Sequence, residues 1–98
     1  MERMPEVLLD RRSETPLFRQ IADAIRRLAQ AGSLPAGVKL PATRVFAKRL
    51  GVHRRTVVAA FALLQEEGWL VSGVGQGTFI REIKELVDAD IKDLKDVY

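Results

Sequence analysis

Leu50-Gly51-Val52-His53-Arg54-Arg55-Thr56-Val57 is the stretch that decides the fold. It joins two segments of helical apolar spacing through a turn of three or four residues that contains glycine, the pattern of a helix-turn-helix. Gly51 suits the backbone conformation such a turn demands, which is costly for other residues, and Val52 is the expected buried plug between the helices. Upstream, Lys39-Leu40-Pro41 leads into a short helix in which Val45, Phe46 and Leu50 are spaced to face a core, with Arg44, Lys48 and Arg49 outward. Downstream, a third helix is expected from about Arg54 to Glu67, with Val57, Phe61 and Leu64 on its apolar face, Val58 and Ala60 beside it, and Gly68 as its stop.

The remaining elements follow outward from this pair. A first helix is expected to begin near Thr15-Pro16, with Thr15 as a cap and proline tolerated in the first turn. Leu17, Phe18, Ile21, Ala24, Ile25 and Leu28 form its apolar face, and Gly32 ends it. Val7-Leu8-Leu9 reads as a small strand or an anchoring arm. After Gly68 the period turns extended: Trp69-Leu70-Val71-Ser72 and Thr78-Phe79-Ile80 are two strands around the glycine-rich tip Gly73-Val74-Gly75-Gln76-Gly77. Residues 82–98 read as a further helix striped by Ile83, Leu86, Val87, Ile91, Leu94 and Val97, which suits a partner helix as well as its own domain. The expected fold is mainly α with a small β-hairpin: a winged helix-turn-helix of three core helices and a two-stranded wing over 1–80, with 81–98 as a C-terminal helix, linker or dimerisation element.

Ninety-eight residues suffice for one domain, and an apolar content of 47% is that of a chain that folds. With no cysteine, disulfides, thiol chemistry and zinc fingers are excluded. Neither a signal peptide nor an apolar run long enough for a membrane span is visible, so a cytoplasmic location without membrane contact is expected. The net charge of +3 is unevenly distributed: residues 1–80 carry +5 and residues 81–98 carry −2. Between Asp23 and Glu66 there is no acidic residue, while Arg26, Arg27, Lys39, Arg44, Lys48, Arg49, Arg54 and Arg55 all fall there. Such a block points to a polyanionic partner; its bland alternative is a solvated positive face.

From Pro16 to Ile80 the chain resembles the GntR family of bacterial repressors. The resemblance rests on Pro16-Leu17-Phe18-Arg19-Gln20-Ile21, on Gly32-Ser33-Leu34-Pro35-Ala36-Gly37 with Leu40-Pro41-Ala42-Thr43-Arg44, and on the turn quoted above. Leu64-Gln65-Glu66-Glu67-Gly68-Trp69-Leu70 and Gly75-Gln76-Gly77-Thr78-Phe79-Ile80 complete it. Leu8-Leu9-Asp10-Arg11-Arg12-Ser13 and Thr56-Val57-Val58-Ala59-Ala60-Phe61 are similar to the MocR-type branch. The resemblance implies a homodimer on double-stranded operator DNA, with the third helix in the major groove and the wing at the minor groove. It implies base contacts from Arg44 and Arg54, a phosphate contact from Thr56, and close backbone approach at Gly75. Three positions depart from common family patterns: Ala42 and His53 replace frequent capping residues, and Val58 stands where some relatives carry another base-reading arginine. MocR-type regulators carry a further aminotransferase-like domain that binds pyridoxal phosphate. This chain is either the head of such a regulator or a short YtrA-type member; no cofactor is expected in the chain itself, and no effector is evident.

The chemistry of the residues fits those roles. Arg54 and Arg55 open the third helix, and a guanidinium offers the two parallel donors that guanine O6 and N7 accept. Arg44, Arg54 and Arg55 are therefore the candidate base readers. Lys39, Thr43, Lys48, Arg49, His53 and Thr56 are candidates for phosphate or backbone contact, with solvated surface as the alternative for the charges. His53, the sole histidine, fits a helix cap or a phosphate hydrogen bond better than a metal site. Gly75, Gln76 and Gly77 form the wing tip. The glycine run lacks the Lys-Ser/Thr of a nucleotide-binding loop and leads into a strand, so a nucleotide site is disfavoured. Phe18, Phe46, Phe61, Trp69 and Phe79 are expected in the core rather than as base-stacking platforms. No nucleophile–base pair or clustered metal ligand is apparent, and an enzyme is not expected. The rival class is a winged helix that binds protein and never touches DNA.

Overall fold

The computed structural model describes residues 2–73 and 75–81. The element order is α1 (Leu17–Gln30), β1 (Lys39–Leu40), α2 (Thr43–Leu50), α3 (Arg54–Glu66), β2 (Leu70–Gly73) and β3 (Gly77–Ile80). This is the winged helix-turn-helix expected from the sequence. The reading of 82–98 as a helix lies outside the described residues.

α1 buries Ile21, Ala22, Ala24, Ile25 and Ala29 along one face, as an apolar stripe of helical period must when it meets a core. Its start differs from expectation. Thr15 makes no cap; Pro16 occupies the capping position in an extended conformation, with no side-chain cap. The nearby Gln20 side chain supplies the local bonds instead: its amide donates to the Thr15 and Asp10 carbonyls at 2.8 and 2.9 Å, and its oxygen accepts from the Asp10 N–H at 2.8 Å. These bonds fix the polar connection ahead of the helix. Before it, residues 3–9 form an anchoring arm rather than a strand: Pro5 is buried, Met4, Val7 and Leu9 pack against the core, and Leu8 is 85% exposed.

α2 buries Phe46 and Ala47, and α3 buries Val57, Ala60, Phe61 and Leu64. Phe46 meets Phe61 edge-to-face, with ring centroids 5.3 Å apart and planes at 85°, the geometry in which aromatic quadrupoles attract. One expectation fails here: Val45, expected to face the core, is 47% exposed; Val58, placed beside the apolar face, is 45% exposed. Each lies one residue from a buried position, and one residue is about 100° around a helix. The buried arc of these short helices is narrower than the apolar pattern suggested. Val52 is half-buried and packs against the core as the turn's plug. Phe18 and Trp69 also pack against the core while remaining partly accessible, and Phe79 is half-buried on the wing.

Gly51 ends α2 in the left-handed region at φ 70° and ψ 37°. That conformation lets the Val52 N–H reach back to the Ala47 carbonyl at 3.1 Å, satisfying an orphan carbonyl at the helix end. Arg11 adds an outside clamp, its Nη2 donating to the Gly51 and Leu50 carbonyls at 3.0 and 3.3 Å. At the other end of α3, Arg26 of α1 binds Glu67 and Asp23, each at 2.6 Å. The Glu67 hydrogen bond, aided by Asp23 and opposed by partial burial, raises the Arg26 pKa above its ordinary value, so this tie between α1 and the end of α3 keeps its positive charge.

The sheet has three strands in the order β1-β3-β2, all antiparallel. The hairpin register pairs Leu70 with Ile80, Val71 with Phe79, Ser72 with Thr78 and Gly73 with Gly77. The expected two-stranded wing gains Lys39 and Leu40, which pair with Phe79 and Thr78. Two residues are too few to show a period, so in the sequence they read only as a lead-in to α2. The first wing strand starts at Leu70 rather than Trp69, whose carbonyl nonetheless accepts from the Arg81 N–H at 2.9 Å.

Replacing Phe46 by Ala should cost about 3–5 kcal/mol, while Val45→Ala should stay within about 0.5 kcal/mol. Urea unfolding of the two variants checks this; equal losses would mean that Val45, too, is part of the core.

Candidate nucleic-acid interface

α3 presents Arg54, Arg55, Val58, Ala59 and Ala62 as exposed residues. Both arginines lie in its first turn, where free backbone N–H groups and the helix dipole favour anions. The Arg54 Nε donates to the Thr43 Oγ1 at 3.0 Å. Thr43 is the first residue of α2, so one helix start fixes the root of the guanidinium carried by the other. Arg44, next along α2, is exposed. Among the described residues none of Arg44, Arg54 and Arg55 pairs with a carboxylate; the ion pairs there join Arg26 to Asp23 and Glu67.

The other sequence-predicted positions distribute around this pair of helix starts. Lys48 and Arg49 are exposed in the last turn of α2, where cations suit the helix dipole. His53 occupies the capping position of α3, is exposed, and makes no side-chain cap bond, so its expected capping role is not realised. Thr56 is half-buried and sits with Arg11, Leu17, Gly51, Val52 and His53 around a shallow cleft.

The wing tip belongs to a second cleft. Lys39, Thr43, Gly75, Gln76 and Gly77 line it together, so β1, the start of α2 and the tip converge. Glu2 lines the same cleft and forms an isolated parallel backbone bridge with Lys39, so an acidic residue from outside the acid-free block reaches this edge. Gly75 and Gly77 have φ of 71° and 116°, and a Cβ on Gly77 would lie 2.7 Å from the Lys39 Cε. The tip thus needs glycine for its backbone and keeps the lysine stem against it.

Arg11 and the Thr43–Arg54 bond are the functional features that sequence reading missed. Arg11 acts on carbonyls 39 and 40 residues away, and no local pattern signals such a contact. Among the described residues, no cluster of His, Asp and Glu is placed to hold a metal ion, and no helix is long and apolar enough to cross a membrane.

Comparison with known proteins places this geometry in context. The family described as "Bacterial regulatory proteins, gntR family" matches residues 17–80. The probable rhizopine catabolism regulatory protein MocR of Rhizobium meliloti is 40% identical over 74 residues, 76% of this chain. The chain spans only 15% of that regulator's length. Among solved structures, YtrA from Sulfolobus acidocaldarius, a GntR-family transcription factor, superposes with a TM-score of 0.71 at 31% identity, covering 92% of this chain and 97% of that one. AraR(DBD) in complex with operator ORX1 gives a TM-score of 0.67 at 27% identity, over 80% of this chain and 98% of that one.

Thr43→Val keeps the side-chain shape and removes the acceptor for Arg54. Stability should change by no more than about 1 kcal/mol, while the Arg54 Nε–H should exchange faster with solvent in nitrogen-edited NMR. An unaltered Nε–H signal would show that the bond does not hold the guanidinium in solution.

Proposed function

Since the chain belongs to the GntR family of bacterial regulatory proteins, we propose that it binds double-stranded operator DNA sequence-specifically and thereby serves transcriptional regulation. The carrying observation is that Arg44, Arg54 and Arg55 are exposed around two adjoining helix starts with no carboxylate partner among the described residues. In this reading α3 enters the major groove. Arg54 donates in parallel to guanine O6 and N7, a contact worth about 1–3 kcal/mol of discrimination, while Arg55 and Arg44 read neighbouring bases. Lys39, Thr43, Lys48, Arg49, His53 and Thr56 contact phosphates or the sugar–phosphate backbone, and Gly75, Gln76 and Gly77 bring the wing tip to the minor groove. The Thr43 bond to Arg54 supports the role of Arg54, because a guanidinium held at its root loses less freedom on binding.

The chain acts as a homodimer on DNA, placing two α3 helices about 34 Å apart, one helical turn. It is a cytoplasmic regulator rather than an enzyme, and the domain needs no cofactor of its own. A second reading, favoured by the likeness to MocR and the small share of that regulator covered, is that residues 1–80 are the DNA-binding head of a longer protein. In that case pyridoxal phosphate would belong to a following aminotransferase-like domain. Residues 81–98 then act as a linker, and in a short regulator as a dimerisation element.

Fluorescence anisotropy with a duplex enriched from a random pool tests the reading. Arg54→Ala should cost about 1–3 kcal/mol and flatten preference at one base pair in each half-site, whereas Lys48→Ala should weaken all sequences alike and reduce the salt slope by about 1. Absence of binding to any duplex at low salt would instead favour a winged helix that engages protein.

A further inference from the structure

We infer that Val58 is a specificity-determining residue that contacts the C5-methyl group of thymine; the inference rests on the DNA-binding reading above and names part of what is read. Val58 is 45% exposed, and it is absent from both the buried core and the partly buried residues packed against it. By helix geometry it stands one turn beyond Arg54, rotated about 40° from Arg54 and about 60° from Arg55. It therefore falls within the angular sector that the two arginines bound. Ala59 and Ala62, also exposed, are too short to screen it.

The core does not call for a valine there. Alanine is the better helix former at an exposed site, and Val58 is not among the residues that build the core. What valine offers is a rigid pair of methyl groups: its χ1 is nearly fixed in a helix, so little freedom is lost when it is pressed against a surface. It has no donor or acceptor, and on the major-groove edges of the bases the apolar feature is the thymine C5-methyl. The rise from Arg54 to Val58 is about 6 Å, roughly two base-pair steps of 3.4 Å. The thymine should thus lie within about three base pairs of the position read by Arg54.

The test uses the duplex enriched by the wild-type chain from a synthetic random pool, in which thymine is the source of the methyl. Each thymine is replaced in turn by deoxyuridine, which keeps every hydrogen bond and removes the methyl. Wild-type affinity should fall about fourfold at one thymine per half-site, the effect of one methyl-sized apolar contact. Val58→Ala should bind the thymine and deoxyuridine duplexes equally while retaining its preference at the position read by Arg54. The inference is overturned if wild type and Val58→Ala respond alike at every thymine, or if the enriched duplex has no thymine within reach. Failure of the wild type to enrich any sequence would sink the DNA-binding reading itself, a separate outcome.

Discussion

The angle between α2 and α3 is fixed at Gly51, and the rest of the interface depends on it. A left-handed residue there lets the Val52 N–H return to the Ala47 carbonyl. Val52 is thereby carried into the angle between the helices, and α3 begins two residues later. Phe46 and Phe61 close the same angle from inside. Arg11 closes it from outside by binding the Leu50 and Gly51 carbonyls. With the corner held on both sides, the first residues of α2 and α3 lie close enough for Thr43 to accept from Arg54. The charge that matters most to the proposed function is therefore placed by a backbone constraint, a core contact and a clamp from the polar connection that precedes α1.

The wing is tied into the same frame. β1 pairs with β3, and the Gly37 and Ile80 N–H groups extend that ladder to the Ile80 and Val38 carbonyls. Because β1 ends at Leu40 and α2 begins at Thr43, movement of the wing would pull on the start of α2. The Arg3 N–H donates to the Lys39 carbonyl and its Nη1 to the Ser33 carbonyl, so the arm holds this edge while the connection after it holds the helical corner through Arg11. The two surfaces assigned to the two grooves of DNA are thus parts of one hydrogen-bonded body.

Much of this was legible in the sequence. Gly51, the apolar period of α1 and α3, and the glycine-rich hairpin were sufficient for the winged helix-turn-helix, and the acid-free block contained the exposed Arg44, Arg54 and Arg55, although its Arg26 is tied to Asp23 and Glu67. The misses share physical causes. Val45 is an apolar residue next to a buried one, and a periodic pattern cannot resolve the edge of a buried arc on a short helix. Lys39 and Leu40 become a strand only because β3 offers them a free edge about 38 residues later in the chain. Arg11 and Thr43 act through partners that folding brings near. Thr15 was a reasonable cap by residue type, but Gln20 meets the polar needs of that turn. Each miss is a case of tertiary contact deciding what local preference leaves open.

Methylation interference probes the central claim most directly. Guanines of an enriched duplex are methylated sparsely at N7 and bound DNA is separated from free. If Arg54 and its neighbours read guanine in the major groove, N7 methylation should exclude binding at guanines in two clusters about one helical turn apart. Tight, sequence-specific binding that tolerates N7 methylation at every guanine would contradict the account.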